Sequence, residues 1–278
     1  MNQIFNAQEF KAQVFRAQVF KAEWRKLRRP TLFFGTMLAS AGLTGLVTSL
    51  LFLLIDSPQG NSDRGNMISR DILQLPSGLT IGFSNAAGLL GIVALCVFAA
   101  QTAQEYTYGT LRNLLVRQPR RLQLLLGKYV SMASFAVVMV ILAAVSSMSL
   151  AFGLSGKAKV STDAWVTSDA LHEMAKTFGN VLLSVIAFGT VGMILGLLLR
   201  SPISAISLGV IWLLIVENIL IAVKSSLGNW MPGSLMSTIA VGGTADISYT
   251  HSITMVAIYL VSSTAIVITL FKRRDVSN

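Results

Sequence analysis

The sequence predicts an all-α polytopic membrane protein with six transmembrane helices, and three observations carry that expectation. Hydrophobic residues make up 53% of the 278 and charged residues only 12%, too little charge to coat the surface of a soluble domain of this size. The apolar residues gather in six long runs, each close to the ~20 residues that cross a hydrocarbon core. The basic residues lie between those runs, chiefly in alternate connections, so the net charge of +10 points to lipid headgroups and membrane orientation rather than to nucleic acid.

Residues 1–30 form a basic N-terminal segment ahead of a membrane domain over 31–278. It carries a five-residue repeat, Ala7 to Lys11, Ala12 to Arg16 and Ala17 to Lys21, followed by a degenerate Ala22-Glu23-Trp24. A period of five advances about 140° per unit on a helix, so the phenylalanines spiral. Phe20, Trp24 and Leu27, at i, i+4 and i+7, share a face and predict an interfacial amphipathic helix over 19–29. The repeat reads equally as a neutral duplication. Nothing in the segment has the layout of a cleaved signal peptide.

The first span is placed at 31–55, after Pro30, with Gly35, Ala39, Ala41 and Gly45 as small pairs four apart. The second, at 81–103, follows a polar loop with Asp56, Asp63, Arg64, Arg70 and Asp71, and the third covers 129–152. The fourth, at 177–199, carries Gly192 and Gly196 in the spacing that lets two membrane helices approach closely. Only Arg200, Ser201 and Pro202 separate it from the fifth, at 203–223; the sixth runs over 252–271. Between the last two lies the uncharged stretch Ser225 to Ala245, rich in glycine. A seventh crossing there would carry Lys272, Arg273 and Arg274 outside, so the stretch is read as a re-entrant or interfacial element with Trp230 at headgroup level.

Charge sets the orientation. With a cytoplasmic N-terminus, the inside segments hold 16 of the 22 basic residues and the outside loops hold six. That excess places both termini and the connection after the second span on the cytoplasmic side of the cell membrane.

The connection itself, residues 105–128, is too elaborate for a link. Gly109 supplies a backbone conformation or a close approach that a residue with a Cβ resists, and Thr110 a helix cap. Leu111, Leu114 and Leu115 make one apolar face away from Arg112 and Arg117, and Pro119 ends that short helix. A second apolar run, Leu122 to Leu126, closes with Gly127 and Lys128. The pattern Glu105, Gly109-Thr110-Leu111-Arg112, Leu114-Leu115, Pro119, Arg121, Leu125 and Gly127-Lys128 resembles the cytoplasmic loop of type-2 ABC transporter permeases, the six-span subunits of ABC exporters. Arg120 departs from that pattern, which often has a small residue there.

The resemblance implies a cytoplasmic coupling helix after the second span, docking on a separate ATP-binding subunit present in two copies. Glu105, Gly109, Thr110, Arg112, Leu115, Pro119 and Arg121 are the implied coupling residues. Glu105 and Arg112 would make the polar contacts and Gly109 and Pro119 set the shape, while for Arg121 and Lys128 the plainer alternative is headgroup binding. It also implies a second, identical or similar permease chain, and export of drugs, peptide antibiotics or lipids. This chain would bind no cofactor and catalyse nothing, with ATP and Mg on the partner. The re-entrant element, with Trp230 and Pro232, would serve as an outer gate or simply lie in lipid.

One acid interrupts the spans: Glu217, followed by Asn218. An intramembrane acid is costly unless it faces protein or water. Three readings compete for it: lining a translocation path, bonding hydroxyls of neighbouring helices, or sitting at the outer interface near Lys224. His172 and His251 are far apart, no cluster has metal-ligand spacing, and Cys96 sits alone in an apolar run. Gly153 to Lys157 lacks the spacing of a phosphate loop, so no nucleotide-binding domain is read in these residues. The alternatives are an ATP-independent transporter using Glu217 and a membrane protein for sensing or immunity.

Overall fold

Prolines and small hydroxyl residues set most of the helix starts. The computed structural model describes residues 19–55, 69–109 and 121–273, and among them there are helices and no strands. Helix α1 (19–27) leads within two residues into α2 (Pro30–Leu53), whose first residue is the proline. The short α3 (Arg70–Leu73) is capped by the Ser69 hydroxyl, and α4 (Gly78–Asn85) leads into α5 (Ala87–Thr107). Then follow α6 (Arg121–Ser155) and α7 (Ser168–Leu199), the latter capped by Thr167. Ser201 caps α8 (Pro202–Val223), Pro232 starts the ten-residue α9 (Pro232–Val241), and α10 (Tyr249–Arg273) closes the described chain. Each cap supplies an acceptor to amides that have no partner within their own helix.

Six of these helices are long and apolar enough to cross a membrane: α2, α5, α6, α7, α8 and α10. They begin and end near the expected spans, with differences that have physical causes. The second span starts at Ala87 rather than near 81, because Ser84 Oγ and Asn85 Nδ2 both bond the Ile81 carbonyl (3.1 and 2.8 Å) and the helix breaks at Ala86. Local side-chain bonds of that kind compete with the helical ladder. Helix α6 extends to 35 residues and α7 to 32, about 50 Å each at 1.5 Å per residue, well beyond the ~30 Å hydrocarbon core. The run Leu122 to Leu126, expected to stand apart from the third span, is its first turns.

The centre of the bundle is the pair α5 and α7. In the apolar windows of both, 61% of residues are buried, against 17% in α8 and 11% in α10. Glycines bring the two together: a Cβ on Gly192 would stand 2.2 Å from the Leu95 carbonyl oxygen, and one on Gly196 2.9 Å from that of Ala99. Contacts rise in step along both helices, so they run in the same direction, and Gly91 receives the Phe188 ring in the same register. Small residues replace hydrophobic drive between helices in lipid by allowing this close packing. A second parallel pair, α2 with α6, is tied by Ser146 Oγ on the Ala41 carbonyl (2.9 Å) and by the Thr48 and Ser147 hydroxyls (2.7 Å).

At the end far from α1, the Trp165 ring packs edge-on against Phe52 and Phe152, and its N–H donates to the Leu73 carbonyl at 2.9 Å. Helix α9 lies between the fifth and sixth spans against α7 and α10. Leu235, Met236 and Ile239 on it are buried. At about 15 Å it reaches half the depth of a hydrocarbon core. It ends at Gly242, whose φ of +82° is open to glycine at little cost.

Candidate functional site

Two buried carboxylate sites stand out, one at each end of the bundle. The first gathers at the stems of the connection after the second span. Helix α1 presents Glu23 and Lys26, the last turns of α5 present Glu105, and the first turns of α6 present Lys128. Lys128 Nζ is 2.6 Å from Glu23 Oε2 and 2.8 Å from Glu105 Oε1, and it donates to the Gln101 carbonyl at 3.2 Å. Lys26 Nζ is 2.6 Å from Glu23 Oε1 and 2.8 Å from Glu105 Oε1. Two ammonium groups and two carboxylates therefore form a neutral ring of four. Lys128 is 1% exposed, Glu23 5% and Glu105 7%. Burying an amine this deep is costly unless acceptors surround it, as they do here.

Packing around the ring follows from small residues. A Cβ on Gly127 would stand 2.5 Å from Val19 Cγ1, so glycine is what lets α1 lie on α6, and Ser131 Oγ donates to the Phe20 carbonyl at 3.2 Å. Leu27 is buried, and the Phe20 and Trp24 rings stack with centroids 5.9 Å apart. Of the face expected to be interfacial, Leu27 thus meets protein, while Phe20 and Trp24 are half-buried. Burial by itself would raise the Glu23 carboxyl, but Lys128 and then Lys26 outweigh it and hold the group below its ordinary value. Burial would likewise lower the Lys26 ammonium, but Glu105 and then Glu23 prevail and raise it.

Two expectations for this region are corrected. Lys128 is no headgroup contact: a side chain with two carboxylates and a carbonyl around its ammonium is committed to the interior. Glu105 points inward to the same ring, where it anchors the loop stem instead of offering a free carboxylate. Gly109 follows α5 with a φ of +63° and open space where a Cβ would stand, so of its two expected uses it is the conformation that calls for glycine. Thr110, Arg112, Leu115 and Pro119 lie outside the described residues, as do the first three units of the repeat up to Gln18. Arg121 is the first residue of α6. Arg200, also at this end with a φ of +55°, sets its guanidinium 5.6 Å from the Tyr106 ring centroid.

The second site is built by Glu217. A turn of π-helix, Trp212–Val216, interrupts α8, and its wider winding brings residues five apart onto one side. Trp212 Nε1 consequently donates to Glu217 Oε1 at 2.8 Å. The carboxylate also accepts the backbone amides of Gly233 (3.1 Å) and Ser234 (3.2 Å), the first turn of α9. Met231 gives that helix no side-chain cap, so Glu217 serves from another span as its cap, charge facing the positive end of the helix. At 2% exposure it accepts from an indole and two amides, and among the described residues from no hydroxyl. Gly233 is required there, since a Cβ would stand 2.7 Å from Glu217 Oε2 and from Leu213 Cδ2.

Glu217 itself lines a cavity of about 330 Å³, together with Asn85, Phe188, Asn218 and Ser237 among others. Asn218 Nδ2 donates to the carbonyls of Leu213 and Leu214 (3.3 and 3.0 Å), which the π turn leaves available. Trp230, 56% exposed, has its carbonyl held by the Tyr259 hydroxyl (3.1 Å) and its ring edge-on to His251. Pro232 is the first residue of α9, two residues beyond it. Sequence reasoning found Glu105 and Glu217 but missed Glu23, Lys26 and Trp212. The pairing of Glu23 with Lys26 three residues on was the one visible signal.

Six apolar helices with two buried polar anchors make this a multi-pass helical membrane protein. Residues 72–277 match the family described as "Protein of unknown function (DUF2705)", and the chain belongs to that family. It is also similar to "Uncharacterized protein YhcI" of Bacillus subtilis (strain 168), 23% identical over 211 residues, covering 70% of this chain and 67% of that protein.

Proposed function

We propose that this chain is the permease subunit of an ATP-driven exporter of the cell membrane, forming half of a translocation path with a second permease chain. It takes its energy from a separate ATP-binding subunit through the loop at 105–128. The observation that carries this reading is the buried ring of Glu23, Lys26, Glu105 and Lys128. A loop that only connects two spans does not need both stems and an additional helix joined by buried charge, which is hard to desolvate and rigid once paired. A push on the loop would move α1, α5 and α6 as one body, the behaviour required of a coupling element in a two-state transporter. The twelve-position likeness of residues 105–128 to the exporter loop supports the same conclusion.

In this reading both termini are cytoplasmic and α9 is a re-entrant element on the outer side. The three donors on Glu217 tie α9 to the fifth span and would make it a rigid part of the outer wall. The transported compound belongs among drugs, peptide antibiotics or lipids. The test is a mild-detergent pull-down of the tagged chain from its native membrane, with mass spectrometry and an ATPase assay. A stoichiometric ATP-binding subunit, lost when 110–120 are scrambled, is the expected result. Recovery of the chain alone, under conditions that keep other membrane complexes whole, would refute the proposal.

A further inference from the structure

Helix α1 has a second face that the buried ring does not use. At 100° per residue, Lys21, Arg25 and Arg28 fall within an arc about 60° wide, and Arg28 keeps the helical bond to the Trp24 carbonyl (3.0 Å). All three are exposed, while Val19, Glu23 and Leu27 on the opposite side are buried against the bundle. Among the described residues, none of the three basic side chains has a carboxylate within ion-pair distance. A stripe of one sign on an exposed face attracts partners of the opposite charge.

We infer that this stripe binds the phosphate groups of anionic phospholipids and fixes α1 in the headgroup layer. The argument is positional as well as electrostatic. Only Arg28 and Arg29 separate α1 from the start of α2 at Pro30, so α1 cannot leave the level at which that membrane-spanning helix begins. Buried charge pairs hold its inner face, which fixes the rotation of the helix and turns the stripe away from the protein. Half-buried Trp24, flanking the stripe, is of the type that settles at the boundary between headgroups and acyl chains. Each basic residue near an anionic surface contributes about fivefold in binding. The inference rests on the six apolar helices and is independent of any transport activity.

The full chain, purified in detergent, is incubated with phosphatidylglycerol and phosphatidylcholine of equal chain length, and the lipids retained are counted by native mass spectrometry. Wild type should prefer phosphatidylglycerol. The Lys21→Ala, Arg25→Ala, Arg28→Ala triple variant should lose that preference by at least about tenfold. The charge-keeping Lys21→Arg, Arg25→Lys, Arg28→Lys variant should retain it, and Arg25→Glu alone should reproduce about a fivefold part of the loss. No preference in wild type, or an unchanged preference in the triple variant, overturns the inference. Loss of a co-purifying protein from the triple variant with lipid retention unchanged would overturn it too, and would assign the stripe to an acidic protein surface.

Discussion

The two ends of this bundle bury carboxylates by different means. At the loop stems, Glu23 and Glu105 are balanced by ammonium groups from α1 and α6, charge against charge. At the other end, Glu217 has no cation within ion-pair distance among the described residues and is held by an indole and two amides at the start of α9. The first arrangement joins three helices and fails if a fully buried member such as Lys128 is removed, because the carboxylates it balances stay buried. The second positions one short helix, and its loss is local. A charge network therefore suits an element that transmits movement between segments, and a dipolar cap suits one that must stay in place.

The largest effect should come from Lys128→Met, which leaves two buried carboxylates facing each other. A loss of about 3–5 kcal/mol is expected, read as a lower thermal midpoint in detergent. Adding Glu23→Gln and Glu105→Gln to that variant should recover most of the loss, since it is the uncompensated charge that destabilises; no recovery would show that Lys128 matters by packing alone. Next in size, Glu217→Ala should cost about 1–3 kcal/mol by orphaning the Trp212 and α9 donors. Hydrogen exchange should rise at Ser234 and Leu235 while the loop stems stay protected. If exchange rises at both ends together, the two sites are not independent and the comparison fails.

A smaller effect is expected from pH. The folded Glu23 carboxyl titrates below its ordinary 4.5, so its contribution is present above about that value and is lost as pH falls through the lower folded value. The Lys26 ammonium titrates above its ordinary 10.5, so its contribution is present below that value and disappears only at more alkaline pH. Thermal midpoints should thus be flat between these limits and fall on the acid side, and Glu23→Gln should remove part of the acid fall. Smallest should be Lys26→Met. Its side chain is 35% exposed, so water screens the pair and a loss below about 1 kcal/mol is expected. A loss as large as that of Lys128→Met would mean that the ring acts as one unit.

The spans were legible because a membrane imposes one length and one composition on every crossing helix. Gly192 and Gly196 were legible because close packing of helices leaves a spacing of four in the sequence. Gly109 stood out as a position for a conformation or approach that a Cβ resists, and it has a φ of +63°. Glu217 declared itself as an acid among apolar residues, but its partners did not. Two are backbone amides, which any residue would supply, and the third lies five positions away, on a different face unless a π turn intervenes. Lys128 resembled a headgroup lysine because it follows a glycine at the edge of a span. Nothing nearby in sequence tells of Glu23, 105 positions before it.

By itself, then, the sequence determined how many helices cross, roughly where they begin, and which residues must be small, since hydropathy and packing both act over neighbouring residues. The tertiary structure alone decided that α1 rests on protein, that Glu23, Lys26, Glu105 and Lys128 neutralise one another, and that Glu217 caps a helix in another segment. Those outcomes depend on charges and amides brought together across the bundle, and electrostatic complementarity between distant segments leaves no period in the chain.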